Sequence, residues 1–309
     1  MPGYILGNRP ADGGVTLMVD GYGSFGSSVG SAQGNAFFDV ANGVTNSPIF
    51  STTFESGLAI RLTGDSGRRR YLTMGQIGNG NPGSNMFCGD LPTSLASGTD
   101  ALSATSAFTF SGLDVTLLQE LTAVKTSSNV QLGSLLSQTY TFTNTTGGTI
   151  SGDVVRYFDG DFAAIANGGG RQVRFGDELL CNTPTVVLQT ASQMFCGISL
   201  DATGSAFSVP PSGRFEMRTF GHLRNDIGEG TPMLFNTVVD RSPNDNAASG
   251  NWVSTGYDIT SALRVTYSLA AAESGTMTTK TYWIGDYPSG SAPAPSPEVI
   301  ITRSLGFVL

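Results

Sequence analysis

Histidine and lysine are almost absent from this 309-residue sequence, and charged residues make up only 13% of it. His222 is the single histidine, which argues against a site that gathers several imidazole ligands around a metal. With 16 basic against 24 acidic residues, the net charge of −8 argues against sequence-independent binding to nucleic acid. No apolar run reaches the length of about 18 residues that a membrane span needs, so none is predicted.

Cysteine is also scarce. Cys88, Cys181 and Cys196 are odd in number and lack the spacing of a metal site. Two interpretations remain open: one disulfide with a free thiol, or three inert buried thiols. The first residues show no basic segment followed by an apolar one, so no signal peptide is visible. The few lysines and the many Ser, Thr and Gly residues nevertheless favour an extracellular or cell-surface protein.

The sequence is rich in glycine, with 41 residues, and in short segments of β-branched and aromatic residues. The clearest segment runs from Leu136 to Thr143, where larger residues alternate with Ser and Thr as in a half-buried strand. Residues 154–158 are apolar on both sides apart from Arg156, which predicts a central strand. About seventeen such segments are present, among them 185–189, 214–220 and 274–284, and residues 75–100 are the least regular stretch. Without a helical period, these segments predict an all-β fold, a large antiparallel β-sandwich (a supersandwich) with little helix.

Several of these segments together resemble poorly characterised bacterial β-rich proteins of the galactose-mutarotase-like supersandwich kind. The segments are 20–26 (DGYGSFG), 136–144 (LSQTYTFTN), 155–161 (VRYFDGD), 256–263 (GYDITSAL) and 269–285. The resemblance covers residues 15–286 and implies the supersandwich fold. It also implies, as an expectation, that a ligand would bind at the concave face of a sheet, where sugar enzymes of this fold place histidine and acidic residues.

Asp159 and Asp161 end the third of these segments and are the first candidates for chemistry. On a continuing strand their i, i+2 spacing would place both carboxylates on one face, where they could act as an acid/base pair on a sugar. The same oxygens, with Asp153, Asp177 and Glu178, could bind Ca²⁺. An ordinary Asp-Gly-Asp turn explains the motif equally well.

Other polar and aromatic residues can be interpreted as either functional or structural. His222 could act as a general base or be a structural residue at a strand end. A run of three arginines could bind an acidic partner or phosphate, form an inter-subunit patch, or be a solvated loop: Arg68, Arg69 and Arg70. Four aromatic residues could stack on a sugar, although core packing is the commoner role: Trp252, Tyr257, Tyr282 and Trp283.

The end of the sequence changes character. Residues 288–297 are rich in Pro, Ser and Ala and predict an extended linker after a single domain over 1–287. Residues 298–309 predict an apolar strand or docking tail that could add to the sheet edge of another copy or a scaffold. Its candidate partner-binding residues are Val299, Ile300, Ile301, Leu305, Phe307, Val308 and Leu309.

From the sequence we therefore expect a non-enzymatic structural protein that associates with itself or with a scaffold through this tail. One alternative is a carbohydrate-binding module or a sugar-active enzyme of mutarotase or lyase type that uses the concave sheet face. Another is a cargo or accessory protein whose tail docks on other machinery. The only cofactor that the sequence suggests is Ca²⁺, and a glycan is a candidate ligand.

Overall fold

The computed structural model shows an all-β protein, as the sequence predicts. The structure describes residues 4–8, 14–26, 36–39, 51–53, 55–63, 69–73, 101–125, 129, 131–159, 172–175, 178–181, 195–210, 213, 215–229, 237–238 and 259–284. In chain order, the elements of this described part are β1 (Tyr4–Gly7), β2 (Gly14–Val19), β3 (Ala36–Asp39), β4 (Ser51–Thr53), β5 (Glu55–Leu62), β6 (Arg70–Leu72), β7 (Ser103–Phe110), β8 (Leu113–Lys125), β9 (Gln131–Asn144), β10 (Ile150–Asp159), β11 (Gln172–Phe175), β12 (Glu178–Cys181), β13 (Phe195–Thr203), β14 (Phe207–Ser208), β15 (Phe215–Thr219), α1 (Phe220–Glu229), β16 (Thr237–Val238), β17 (Ile259–Leu269) and β18 (Ser274–Ile284).

One main sheet, here called the long-strand sheet, has the order β11-β12-β13-β18-β9-β8-β7 and is antiparallel throughout. In β9, Leu136, Gln138, Tyr140 and Phe142 are buried, while the residues between them are partly exposed. This confirms the period of two that the sequence predicts. On the outer face, threonines of β9 and β18 form cross-strand hydrogen bonds, as between Thr139 and Thr278 at 3.1 Å.

The second main sheet, here called the helix-covered sheet, has the order β16-β15-β17-β10-β5-β6, and β14 also pairs with β17. Its inner face contributes Val154 and Phe158 of β10 to the main hydrophobic core. Its outer face packs Val155 and Tyr157 against α1 in a second apolar cluster. Both faces of β10 are therefore buried, which confirms the central strand predicted for residues 154–158.

The single charge within that central segment lies on the inner face. The Arg156 guanidinium donates a hydrogen bond to Thr281 Oγ1 at 2.8 Å and lies over the Phe25 ring, 5.6 Å from its centroid. A cation can be buried in this way because it has both a hydrogen-bond acceptor and an aromatic face.

A smaller sheet of order β1-β2-β3-β4 leads into a tight turn at Asp20. Asp20 Oδ1 accepts hydrogen bonds from the backbone N–H groups of Tyr22 and Ser24, both at 2.8 Å. Gly23 has a φ of +91°, and a Cβ there would lie 2.0 Å from the hydroxyl oxygen of Tyr140. The segment 20–26 is therefore a packed structural turn that only glycine allows at this position.

The one helix of the described part is the main departure from the predicted fold. The sequence predicts a strand over 214–220 and no helix after it, but β15 ends at Thr219 and α1 begins at Phe220. Helix propensity is low here because two glycines lie within ten residues, and packing of Leu223 and Ile227 on the sheet stabilises the helix instead. His222 therefore belongs to the first turn of α1 and not to a strand end.

Some predictions concern parts of the chain outside the described residues. They are the irregular segment 75–100, the strand at 185–189, the linker 288–297 and the tail 298–309. The domain limits predicted from the sequence stay a prediction. Within the described part, no helix has the length and apolar character needed to cross a membrane.

Candidate functional site

Several of the candidate residues that the structure describes lie at the outer face of the helix-covered sheet. Asp159 is the last residue of β10 and is buried. Arg69 directly precedes β6, and His222 lies in the first turn of α1, which packs on the same face through Leu223 and Ile227. Asp161 and Arg68 lie outside the described residues. The acid/base pair of Asp159 with Asp161 is therefore untested.

The structure gives Asp159 a different acidic neighbour. In the pairing of β10 with β5, Asp159 lies directly opposite Glu55, and both side chains are buried. Residues that face each other across antiparallel strands have Cβ atoms about 4.5–5.5 Å apart and project to the same side. Two carboxylates thus share one buried position of the sheet.

Tyr157 lies two residues before Asp159, on the same face of β10. Its hydroxyl group is completely buried and forms no hydrogen bond within the described structure. Burial raises the pKa of Tyr157 well above its ordinary value, and the negative charges of Glu55 and Asp159 raise it further. The phenol is therefore protonated and is electrostatically coupled to both carboxylates.

Arg224 of α1 supplies a positive charge at the same place. Its Nε lies 3.0 Å from Glu55 Oε1, and both side chains are buried. Tyr71 donates a hydrogen bond to the Arg224 carbonyl oxygen at 3.0 Å and packs edge-on against Tyr157, with 6.2 Å between the ring centroids. Burial, followed by the charge of Glu55, raises the pKa of Tyr71. We call Glu55, Tyr157, Asp159 and Arg224 the Glu55–Asp159 site.

A second charged group, centred on Asp153, lies farther along the same face of β10. Arg69 contacts both carboxylate oxygens, with Nε 2.8 Å from Oδ1 and Nη2 3.0 Å from Oδ2. Arg264 of β17 donates from Nε to Oδ2 at 3.0 Å, and Arg61 of β5 also contacts Oδ2. Burial raises the pKa of Asp153, but hydrogen bonding and charge from the arginines, Arg69 first, outweigh it and lower that pKa below its ordinary value.

These contacts correct two expectations. Arg69 is buried, and besides Asp153 it hydrogen-bonds to the carbonyl oxygen of Ile227, so its guanidinium acts inside the protein and does not face a partner. Asp153 is surrounded by arginines, so its oxygens are not free to bind Ca²⁺. Arg70 is different from Arg69: it lies over the Phe110 ring at 5.2 Å and hydrogen-bonds to Ser111 at the molecular surface.

The remaining candidates are placed as follows. Among the described residues, no three His, Cys, Asp or Glu side chains are grouped closely enough to hold a metal ion. Because Asp161 and Asp177 are not described, the calcium site stays a prediction. Trp283 is completely buried and packs against Phe25 with 5.7 Å between the ring centroids, which confirms its core role. Trp252 and Tyr257 lie outside the described residues.

Glu55, Tyr157 and Arg224 are not among the residues predicted from the sequence, because they come together only through strand pairing and helix packing. A signal was present for Glu55, which begins a strand whose next five residues are all buried. A charged residue in such a strand must have a partner. The sequence does not show that the neighbour across the sheet is another carboxylate.

Comparisons with known proteins add little to this geometry. No protein-family model matches the chain, and no curated protein matches it. A solved polysaccharide lyase is 11% identical, with a TM-score of 0.37, over 92% of this chain and 32% of the lyase. A protein from the human microbiome, assigned as a kojibiose phosphorylase, is 10% identical, with a TM-score of 0.34, over 97% of this chain and 31% of its own. The chain thus spans about a third of their length, and a likeness this distant assigns no residue a role.

Proposed function

We propose that the chain is a sugar-active enzyme whose Glu55–Asp159 site acts on a glycosidic bond. The observation that carries the proposal is the Tyr157 hydroxyl group, which is buried beside two carboxylates without a hydrogen-bond partner in the described structure. A buried polar group left in this state costs about 1–3 kcal/mol. A ligand hydroxyl that completes the hydrogen bonding would explain why a tyrosine, and not a phenylalanine, occupies this position.

The two carboxyl groups fit the chemistry of glycoside cleavage. In that reaction one carboxylic acid donates a proton to the leaving oxygen, while the other carboxylate attacks the sugar or activates water. We assign the charged role to Glu55, which lies beside the positive charge of Arg224, and propose that Asp159 takes up a proton before it acts as the donor. Their direct opposition across β5 and β10 supports the short-spacing class, for which we propose retention of anomeric configuration.

The site is closed in this structure, because Glu55, Tyr157 and Asp159 are all buried. Entry of a sugar therefore requires movement of the part of the chain that covers the site, which includes α1. Closure of this kind excludes water and strengthens charge interactions within the site. It also favours a small ligand, such as one terminal sugar unit, over the middle of a long polymer.

Tyr157→Phe tests the central observation. Because the substitution removes an unsatisfied buried hydroxyl, we expect an unchanged or higher melting temperature together with weaker sugar binding and slower turnover. Tyr71→Phe is the matched control, because it removes a hydroxyl that does have a partner and should lower the free energy of unfolding by about 1 kcal/mol. Turnover is measured on a panel of oligosaccharides and polysaccharides by release of reducing ends, and by absorbance of unsaturated uronic acids to detect elimination.

The carboxylates are tested on the same panel. Glu55→Gln and Asp159→Asn should each reduce turnover by about 10²-fold or more, whereas Asp201→Asn, at an exposed carboxylate paired with Lys280, should not. Full turnover in Tyr157→Phe and Glu55→Gln would show that the site is structural. A wild-type protein that neither binds nor cleaves any sugar of the panel would refute the carbohydrate proposal.

A further inference from the structure

Two of the three cysteines lie on neighbouring strands of the long-strand sheet. Cys181 is the last residue of β12, and Cys196 is the second residue of β13. The antiparallel register pairs Leu179 with Ile198 and Leu180 with Gly197. The ladder ends there, and the same register continued by one residue would set Cys181 opposite Cys196.

Each cysteine is also paired with a residue of the strand on its other side. Cys181 is paired with Gln172 of β11, and Cys196 is paired with Trp283 of β18. The two cysteines therefore lie on the middle two of four consecutive strands, in the order β11-β12-β13-β18. These outer pairings hold both strands in the sheet, so the register of β12 with β13 can continue by one residue to a Cys181–Cys196 pair.

The spacing of such a pair suits a covalent bond. Directly opposite residues in an antiparallel sheet have Cα atoms about 4.5–5.5 Å apart and side chains on the same face. Disulfides span Cα separations of about 4.4–6.8 Å. We infer that Cys181 and Cys196 form a cross-strand disulfide between β12 and β13, and that Cys88 is the unpaired thiol. This inference is independent of the proposed enzymatic function.

The bond forms by thiol–disulfide exchange with a small-molecule or protein disulfide as the oxidant. The thiolate of one cysteine attacks the oxidant and displaces one thiolate, leaving a mixed disulfide. The second cysteine thiolate attacks that mixed disulfide at the protein sulfur and displaces the other thiolate. The two protein thiols lose two electrons and two protons in total, and the oxidant leaves as two thiols.

Such a disulfide would close a covalent ring that contains residues 182–195. A cross-link of this kind stabilises a protein chiefly by restricting its unfolded chain. We therefore expect the reduced protein to melt several degrees below the oxidised one.

The pairing is tested on the full-length chain equilibrated in an oxidised and reduced glutathione buffer. Free thiols are then alkylated under denaturing conditions, and the chain is digested without reduction and analysed by mass spectrometry. We expect one cross-linked peptide pair that contains Cys181 and Cys196, two hydrogens lighter than the sum of its parts, and an alkylated or glutathionylated Cys88. Alkylation or glutathionylation of both Cys181 and Cys196, or a link that includes Cys88, would overturn the inference.

Three variants sharpen this result. Cys88→Ser should keep the cross-linked peptide and the melting temperature of the oxidised wild type. Cys181→Ser and Cys196→Ser should each lose the link, expose one additional alkylatable thiol, and melt near the temperature of the reduced wild type. Because the peptide analysis of the wild type alone decides the pairing, a variant that fails to fold leaves the test intact. Equal melting of the oxidised and reduced wild type would refute the stabilising role.

Discussion

Asp153→Asn is the sharpest perturbation of the polar face of the helix-covered sheet. Asparagine has nearly the same shape as aspartate but no charge, so the substitution leaves Arg61, Arg69 and Arg264 facing one another without their shared carboxylate. Arg69 is completely buried and Arg264 nearly so, whereas the Arg61 side chain is 18% exposed. Water can therefore compensate for the loss at Arg61 but not at Arg69.

The expected loss of stability is large. Removing one partner of a buried ion pair costs about 3–5 kcal/mol, because the remaining charge is left without compensation. We expect the lower end of this range, about 3 kcal/mol, because the asparagine carbonyl still accepts one hydrogen bond and Arg61 is partly hydrated. Because the entropy of unfolding grows with chain length, a loss of this size should lower the melting temperature by roughly 5 °C.

Urea unfolding and thermal unfolding, both followed by circular dichroism, measure this loss. Asp201→Asn is the control, because its carboxylate is 47% exposed and pairs with Lys280 at the surface, where an ion pair contributes at most about 1 kcal/mol. If Asp153→Asn unfolded within about 1 kcal/mol of the wild type, the argument that Asp153 holds this face together would be wrong.

The same carboxylate predicts a dependence on pH. The pKa of Asp153 is lower in the folded protein than its ordinary value. Its contribution is therefore fully present above the unfolded-state pKa of about 3.9 and is lost as the pH falls through the lower folded-state pKa. Below about pH 4 the wild type should thus lose stability more steeply than Asp153→Asn, so the two unfolding free energies should converge.

Two further predictions concern a turn and the end of the chain. Ala272 has a φ of +61°, so Ala272→Gly should relieve strain and raise the unfolding free energy by up to about 1 kcal/mol. Ala271→Gly is the control and should only lower the unfolding free energy. Urea unfolding measures both variants, and an equal loss of stability in the two would contradict the prediction. Deletion of residues 298–309 should leave a folded monomer that no longer assembles; light scattering of both chains measures the mass, and unchanged assembly would eliminate strand addition by the tail.

The fold was predictable because the strongest sequence patterns lie where one face of a strand is buried and the other is exposed. β9 shows this alternation, and the boundaries predicted for β18 agree with Ser274–Ile284 residue for residue. The helix α1 was not predictable in this way. Its intrinsic helix propensity is low. Leu223 and Ile227 form only a short apolar stripe, and the helix is stabilised because this stripe packs on Tyr71 and Tyr157 of the sheet.

The candidate site was predictable only in part. Asp159 is conspicuous in the sequence, because it ends an apolar strand. Its neighbour Glu55 is not, because the two belong to strands that are far apart in the chain and meet only through the register of β5 with β10. A one-residue slip of that register would turn Glu55 to the opposite face. Sequence alone therefore supplied one carboxylate of the pair and, in Asp161, a different second one.

Two aspartates of β10 show how the fold and the candidate site are related. Each of the two aspartates on the outer face of β10 lies opposite a charged residue of β5: Asp153 opposite Arg61, and Asp159 opposite Glu55. The first pair has opposite signs and stabilises the sheet. The second pair has like signs, an arrangement that by itself destabilises a sheet, and Arg224 offsets it at Glu55. Natural sequences keep such a conflict where it serves a function more often than where it serves folding. This contrast within one pair of strands is why we expect Asp153 to stabilise the fold and propose chemistry at the Glu55–Asp159 site.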